Sequence, residues 1–299
     1  MSIQQTREGF NYQDYAAVYV FLEEYLKTSS KIKEFYTDYL YDRTGELSHD
    51  VFYLKTESDS LETLCIEVKT GETFCEDRRQ IGGALCEIYK YLKANTDSRY
   101  SLLVSTPLKD AIRDYWRAIE DLQSGLPLAR ITTDRRSKIN LLKDLPELRD
   151  LTIGDDDFRD YLARLILMNP TDRVKPSLMH DEGIELLIES LIRRLGTEIL
   201  DIPLEPRNNP LAFPHSLTQE LIYITAAYAG TGTNVLPIYR KAIKKFFGLV
   251  QQIVYPDVTQ LHHDEADIEK ILLIHEGLAA PPQAEVPATA AVGTGTPQL

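Results

Sequence analysis

In the stretch LETLCIEVKTGE, residues 61–72, an acid and a base stand two residues apart: Glu67 and Lys69, with Val68 between them. Side chains two apart on a β-strand leave the same face, so both project from one surface just ahead of a turn at Gly71. A second acid, Asp50, opens the strand candidate DVFYLKT (50–56), seventeen residues before Glu67, a separation that one hairpin bridges. Two carboxylates on adjacent strands can hold Mg2+ (or Mn2+), hard cations that take oxygen ligands. The ion polarises a phosphate and acidifies a water. A lysine beside it can orient that water or offset the charge that builds on the phosphate. The chemistry these residues suit is metal-assisted hydrolysis of a phosphodiester. The alternative is an exposed same-face ion pair worth under ~1 kcal/mol, with Asp50 a turn residue.

The elements that must position these groups follow from periodicity. NYQDYAAVYVFLEEYLKT (11–28) has Tyr12, Ala16, Tyr19, Leu22 and Leu26 on one helical stripe, with Asn11 as N-cap and Gly9 in the loop before it. EFYTDYLYD (34–42), 50–56 and 61–69 are strand candidates, and ESDS (57–60) makes the last two a hairpin. RRQIGGALCEIYKYLKAN (78–95) is a helix, with Gly82 and Gly83 marking close packing on the sheet. RYSLLVST (99–106) is an apolar strand and KDAIRDYWRAIEDL (109–122) another helix. This order predicts a mixed α/β sheet flanked by helices. Beyond it, helical periodicity recurs at 155–168, 181–198, 216–229, 237–252 and 265–276, a mainly α-helical C-terminal region. The expected division is an α/β domain over 1–125, a helical domain over 126–278 that binds a partner, dimerises or grips DNA, and a disordered Ala-, Pro-, Gly- and Thr-rich tail over 279–299.

The Asp50 and Glu67-Val68-Lys69 pattern resembles that of the PD-(D/E)xK superfamily, the restriction-endonuclease-like nucleases. The first helix sharpens the resemblance. Gly9, Phe10, Tyr12 and Gln13 match the Gly-aromatic-x-aromatic-Gln opening of the double-stranded-DNA endonuclease domain of antiphage defence effectors, CBASS-associated and Lamassu-type. The match covers about residues 9–125. It implies a Mg2+-dependent deoxyribonuclease in which Asp50 and Glu67 bind metal, Lys69 acts on the water or on transition-state charge, and Gln13 faces the site. The helical half has no evident match to the nucleotide-sensing domain of the signalling-linked members. A constitutive DNA nuclease would harm its host, so the expectation is regulation by assembly or by a nearby-encoded sensor or ATPase subunit, with a homo-oligomer possible. The rival reading is a catalytically inactive nuclease-like interaction subunit.

Further candidates surround this core. Gln13, Ala17, Val20 and Glu24 share one helix face, so Glu24, or its neighbour Glu23, is a candidate metal ligand, the alternative being a solvated surface acid. For Gln13 the alternative is capping or packing. Gln80, at the start of the next helix, is a further polar candidate, while Glu72 and Glu76 read as surface residues. Phosphate contacts need positive charge: Arg130, Arg135, Arg136 and Lys138 cluster in one segment, and Arg240, Lys241, Lys244 and Lys245 form a stripe in another, beside Ile243, Phe246 and Phe247. A solvated face or an acidic protein partner is the other reading of both.

Composition sets the outer limits. The chain has 299 residues, a net charge of −13, 43% hydrophobic and 26% charged residues, the profile of a globular protein with ample core. The negative balance excludes coating of nucleic acid by global charge, though not a local basic groove. No apolar run reaches the roughly 20 residues of a membrane span, and MSIQQTREGF lacks the apolar core of a secretory signal. Cys65, Cys75 and Cys86 follow no disulfide or metal spacing and are expected as reduced thiols in a cytoplasmic protein. There is no GxSxG, Walker A or GxGxxG motif, and GTGTN (230–234), with no Lys after it, is expected to end a helix.

Overall fold

The computed structural model describes residues 3–27, 29–40, 48–57, 60–69, 77–104, 108, 110–126, 131–170, 180–202, 204, 212–254 and 264–280. The elements are α1 (Ile3–Tyr25), β1 (Ser30–Leu40), β2 (Ser48–Glu57), β3 (Ser60–Lys69), α2 (Arg78–Ala94), β4 (Ser98–Val104), α3 (Asp110–Ser124), α4 (Thr133–Lys143), α5 (Pro146–Arg149), α6 (Asp155–Arg164), β5 (Leu165–Met168), α7 (His180–Arg194), α8 (Ala212–Tyr228), α9 (Leu236–Val254) and α10 (Glu265–His275). A π-helical segment, Leu195–Leu200, continues α7.

The five strands form one mixed sheet in the order β1-β2-β3-β4-β5. The first three run antiparallel, and β3–β4 and β4–β5 are parallel. Helices cover both faces, which explains why β3 and β4 bury consecutive residues such as Leu64, Cys65 and Ile66 or Leu102, Leu103 and Val104. On one face Phe35, Val51, Tyr53, Ile66 and Leu103 pack with α1 and α7 to α10. On the other, Phe52, Cys65, Tyr100, Leu102 and Leu165 pack with α2 to α6. The expected α/β class with its mainly helical C-terminal part is what the chain adopts.

Several boundaries differ from the sequence reading. The helical pattern over 155–168 breaks after Arg164, and the apolar LILM segment becomes β5, paired with Tyr100 to Leu103 of β4. The sheet therefore does not end near residue 106, and no packing break falls near residue 125. The reason lies in α1. Every residue from Ala16 to Leu22 is buried, and a helix apolar all round must be covered all round. It contacts β1 and β2 on one side and α7 and α8 on the other, so the C-terminal helices complete the core rather than forming a lobe. The same helix begins at Ile3, so Asn11 is no N-cap and Gly9 no loop residue. Gly82 packs against α5, not the sheet: a Cβ there would lie 2.2 Å from Glu147 Oε2. GTGTN does follow a helix, but it also closes the free edge of β1. The Gly230 and Val235 amides donate to Thr37 and Phe35 carbonyls, and the Phe35 amide donates to Asn234 Oδ1. Cys75, Glu72, Glu76, Arg130 and residues 281–299 lie outside the described residues.

Candidate active site

The end of β3 is where the ionisable groups meet. The β2–β3 ladder runs to Val51 opposite Ile66, and one step further the Asp50 side chain replaces a backbone acceptor. Its Oδ2 accepts the Val68 amide at 2.6 Å, and its Oδ1 accepts the Gln13 side-chain amide at 2.7 Å. Asp38 in β1 takes a left-handed φ of 45° where the β1–β2 pairing steps from Tyr39–His49 to Thr37–Val51. Asp50 is thus fixed by two donors from two elements.

Burial, then the Glu67 carboxylate, pushes the Asp50 carboxyl up to about 7; the Val68 amide and Lys69 pull it down, and Asp38 adds to the rise. Glu67 and Lys69 pair directly and are about a quarter and a third exposed. They line a cleft of about 210 Å³ whose other wall is α2, with Arg79, Gln80, Gly83, Ala84, Glu87 and Ile88, and whose floor includes Tyr100 of β4. Asp77 caps α2, accepting the Arg79 amide at 2.9 Å, and so sets the start of that wall. A Cβ on Gly83 would meet nothing within 4 Å; this glycine leaves the cleft open. The Tyr100 hydroxyl is fixed by His49 Nδ1 at 2.8 Å. Burial drives the His49 ring down to about 4, so it is neutral at pH 7, and burial followed by Glu67 raises the Tyr100 phenol.

The residues fit a hard divalent cation. The Glu67 carboxylate sits close enough to Asp50 to add to the rise that burial causes there, Asp50 is held from behind by two N–H donors, and Lys69 answers the charge. A cation between them would offset the burial and the carboxylate repulsion that together raise Asp50.

The other candidates fall elsewhere. Glu24 shares the predicted face of α1 with Gln13, but eleven residues of helix and five of strand both span roughly 16 Å, so it reaches the far end of β2. It is 4% exposed, neither a surface acid nor a ligand at this site. Its oxygens accept from Lys27 at 2.7 Å, Ser30 at 2.6 Å and Lys55 at 3.1 Å. Glu23 is half-buried on the same turn. Gln80 does line the cleft. Arg240 is bound to Glu276 at 3.0 Å, Lys244 to Glu269 at 2.8 Å, and Lys138 to Asp121 and Asp134 at 3.0 and 2.8 Å. These three cations are spent on internal acids. Lys241, Lys245 and Arg136 are exposed, and Arg135 is half-buried against Gly125. Sequence reasoning missed Arg79, Gly83, Glu87, His49 and Tyr100. Only the parallel β3–β4 pairing, which sets Tyr100 beside Cys65, brings Tyr100 to the site, and no local pattern encodes that register.

No protein-family model and no curated protein matches the sequence. Among solved structures, the chain is similar in fold to an Acinetobacter baumannii Cap4 SAVED/CARF-domain containing receptor with the cyclic trinucleotide 2'3'3'-cAAA: TM-score 0.50, 13% identity, covering 82% of this chain and 45% of that one. The same receptor with 3'3'3'-cAAA gives TM-score 0.48 at 12% identity, covering 82% and 48%. The chain spans less than half the length of the receptor it matches.

Proposed function

We propose that the protein is a metal-dependent phosphodiester hydrolase acting on double-stranded DNA, working as an effector of antiphage defence under the control of a partner or of assembly. The observation that carries the reading is the half-buried Asp50 carboxylate, pinned by Val68 and Gln13 and electrostatically coupled to Glu67 and Lys69, which line an open cleft. Asp50 and Glu67 would hold Mg2+ or Mn2+, which supplies a nucleophilic water and a Lewis acid for the phosphate. Gln13 fixes the orientation of Asp50 by donating to Oδ1. Lys69, which now pairs with Glu67, would turn to the phosphate when Glu67 engages the ion and stabilise its developing charge. Arg79 and Gln80 on the α2 wall supply donors for phosphate oxygens. The defence setting is supported by the opening motif around Gln13 and by the fold shared with the Cap4 receptor.

A second reading comes from that likeness: this chain could itself bind a cyclic oligonucleotide. Plasmid cleavage with Mg2+, with and without neighbouring gene products, separates the two when run beside calorimetric titration of cyclic trinucleotides. Cleavage that disappears in Gly83→Leu, a variant that fills the cleft, supports hydrolysis at this site. Trinucleotide binding without cleavage under any of these conditions replaces it with the sensor reading.

A further inference from the structure

A second constellation lies on the opposite side of α1, away from the cleft. Glu185 and Glu189 stand four residues apart on α7, and His215 lies in the first turn of α8, with one donor atom of each within 4.8 Å of the others. His215 Nδ1 is 2.9 Å from Glu185 and 3.7 Å from Glu189. Donors around a tetrahedral ion with bonds of about 2.0–2.1 Å are spaced at roughly 3.3 Å, so a side-chain adjustment suffices to close the set. Glu189 provides the independent sign of a ligand. It is 9% exposed, yet among the described residues its carboxylate makes no ion pair closer than the 3.7 Å contact to His215. Buried carboxylates are expected to be paired or to coordinate metal, and like charges four apart on a helix repel. Gln219, one turn past His215, donates to Glu185 Oε1 at 3.0 Å, the outer contact that orients a ligating carboxylate.

We propose that Glu185, Glu189 and His215 bind a first-row divalent transition metal, with Zn2+ the reference ion, and that the ion ties α7 to α8. One imidazole with two carboxylates suits Zn2+ and its neighbours rather than Mg2+, so this site is chemically distinct from the Asp50 site. Binding to the folded state alone raises thermal stability by mass action, and α7 and α8 both pack on α1.

The test uses the full chain stripped with a chelator and titrated with Zn2+ in the presence of excess Mg2+. One equivalent is expected to bind, raise Tm and, with Co2+ instead, give visible absorption typical of a low-coordinate site. His215→Ala, a half-exposed position, should weaken binding by at least ~10-fold, the lower end of what even outer-shell losses cost. Glu189→Gln should do likewise, and Asp50→Asn should leave binding unchanged. Affinity unaltered in both His215→Ala and Glu189→Gln, or the absence of a Zn2+-dependent shift in Tm, overturns the proposal.

Discussion

The two ends of β2 meet the same face of α1 and carry opposite charge economies. At one end Glu24 is buried among Lys27, Ser30 and Lys55. Burial alone would raise it, but the two lysines and the serine outweigh burial and hold it below the ordinary carboxylate range. Lys55 in turn bonds Glu24 and Glu57. At the other end Asp50 is half-buried, and burial together with two acids, Glu67 and Asp38, against one lysine pushes it up to about 7. One helix face on one strand therefore bears a satisfied cluster and an unsatisfied one. The satisfied end holds α1 to the sheet. The unsatisfied end opens onto a cleft, and perturbed ionisation in a cleft is a mark of function.

The comparison breaks most visibly in activity. Lys69→Ala should lower DNA cleavage by at least ~10²-fold, the scale of losing one preorganised electrostatic group, with metal and DNA binding largely intact. Glu67→Ala should lose Mg2+ binding as well, read by calorimetry. If Lys69→Ala cuts at the parental rate, the pair is a surface ion pair and the nuclease reading fails. The next effect is on stability at the satisfied end. Lys55→Met takes from the buried Glu24 one of its two lysine partners and should cost about 3–5 kcal/mol, the range for breaking a buried pair, measured by denaturant unfolding.

Smaller effects come from titration. Because the folded carboxyl of Asp50 sits near 7 and the unfolded one near 3.8, its ionisation opposes folding fully above about pH 7, and that cost fades as pH falls toward 4. In metal-free protein, Asp50→Asn should therefore raise Tm at pH 8 and lose that advantage by pH 5. Glu24 has the opposite sign: depressed in the fold, it adds stability above its unfolded value of 4.5, lost as pH falls through the folded value. Glu24→Gln should lower Tm at pH 7 and matter progressively less in acid. Identical pH profiles for the two variants would erase the distinction between the ends. A shift of the same sign and similar size should come from Asp14→Asn. Burial and Asp38 push Asp14 to about 7, so this variant should gain in Tm at pH 8 and not at pH 5.

The sequence carried some of this and hid the rest for physical reasons. Short apolar or aromatic runs between turn residues located β1 to β4, and period-3.6 patterns located most helices, whose apolar stripes face a core. Glu67 and Lys69 were legible because strand alternation alone puts them on one side. Glu24 was misplaced because helical periodicity gives an angle around the axis and not a distance along it. β5 was read as helix because LILM is apolar throughout, and a short run of that kind has no period of its own. The C-terminal helices were assigned to a separate lobe although YAAVYVFL in α1 held the contrary signal: a helix segment without a polar face needs cover on both sides.

The turn across β1 has a consequence for assembly. An exposed strand edge is a template on which another chain can add a strand. Here Gly230 and Val235 already occupy the Thr37 and Phe35 carbonyls, and Asn234 holds the Phe35 amide. The sheet is thus sealed against growth along that stretch of β1, and its other border is β5, four residues long. Any oligomer is therefore expected to meet through helices or loops, with each sheet remaining five strands wide.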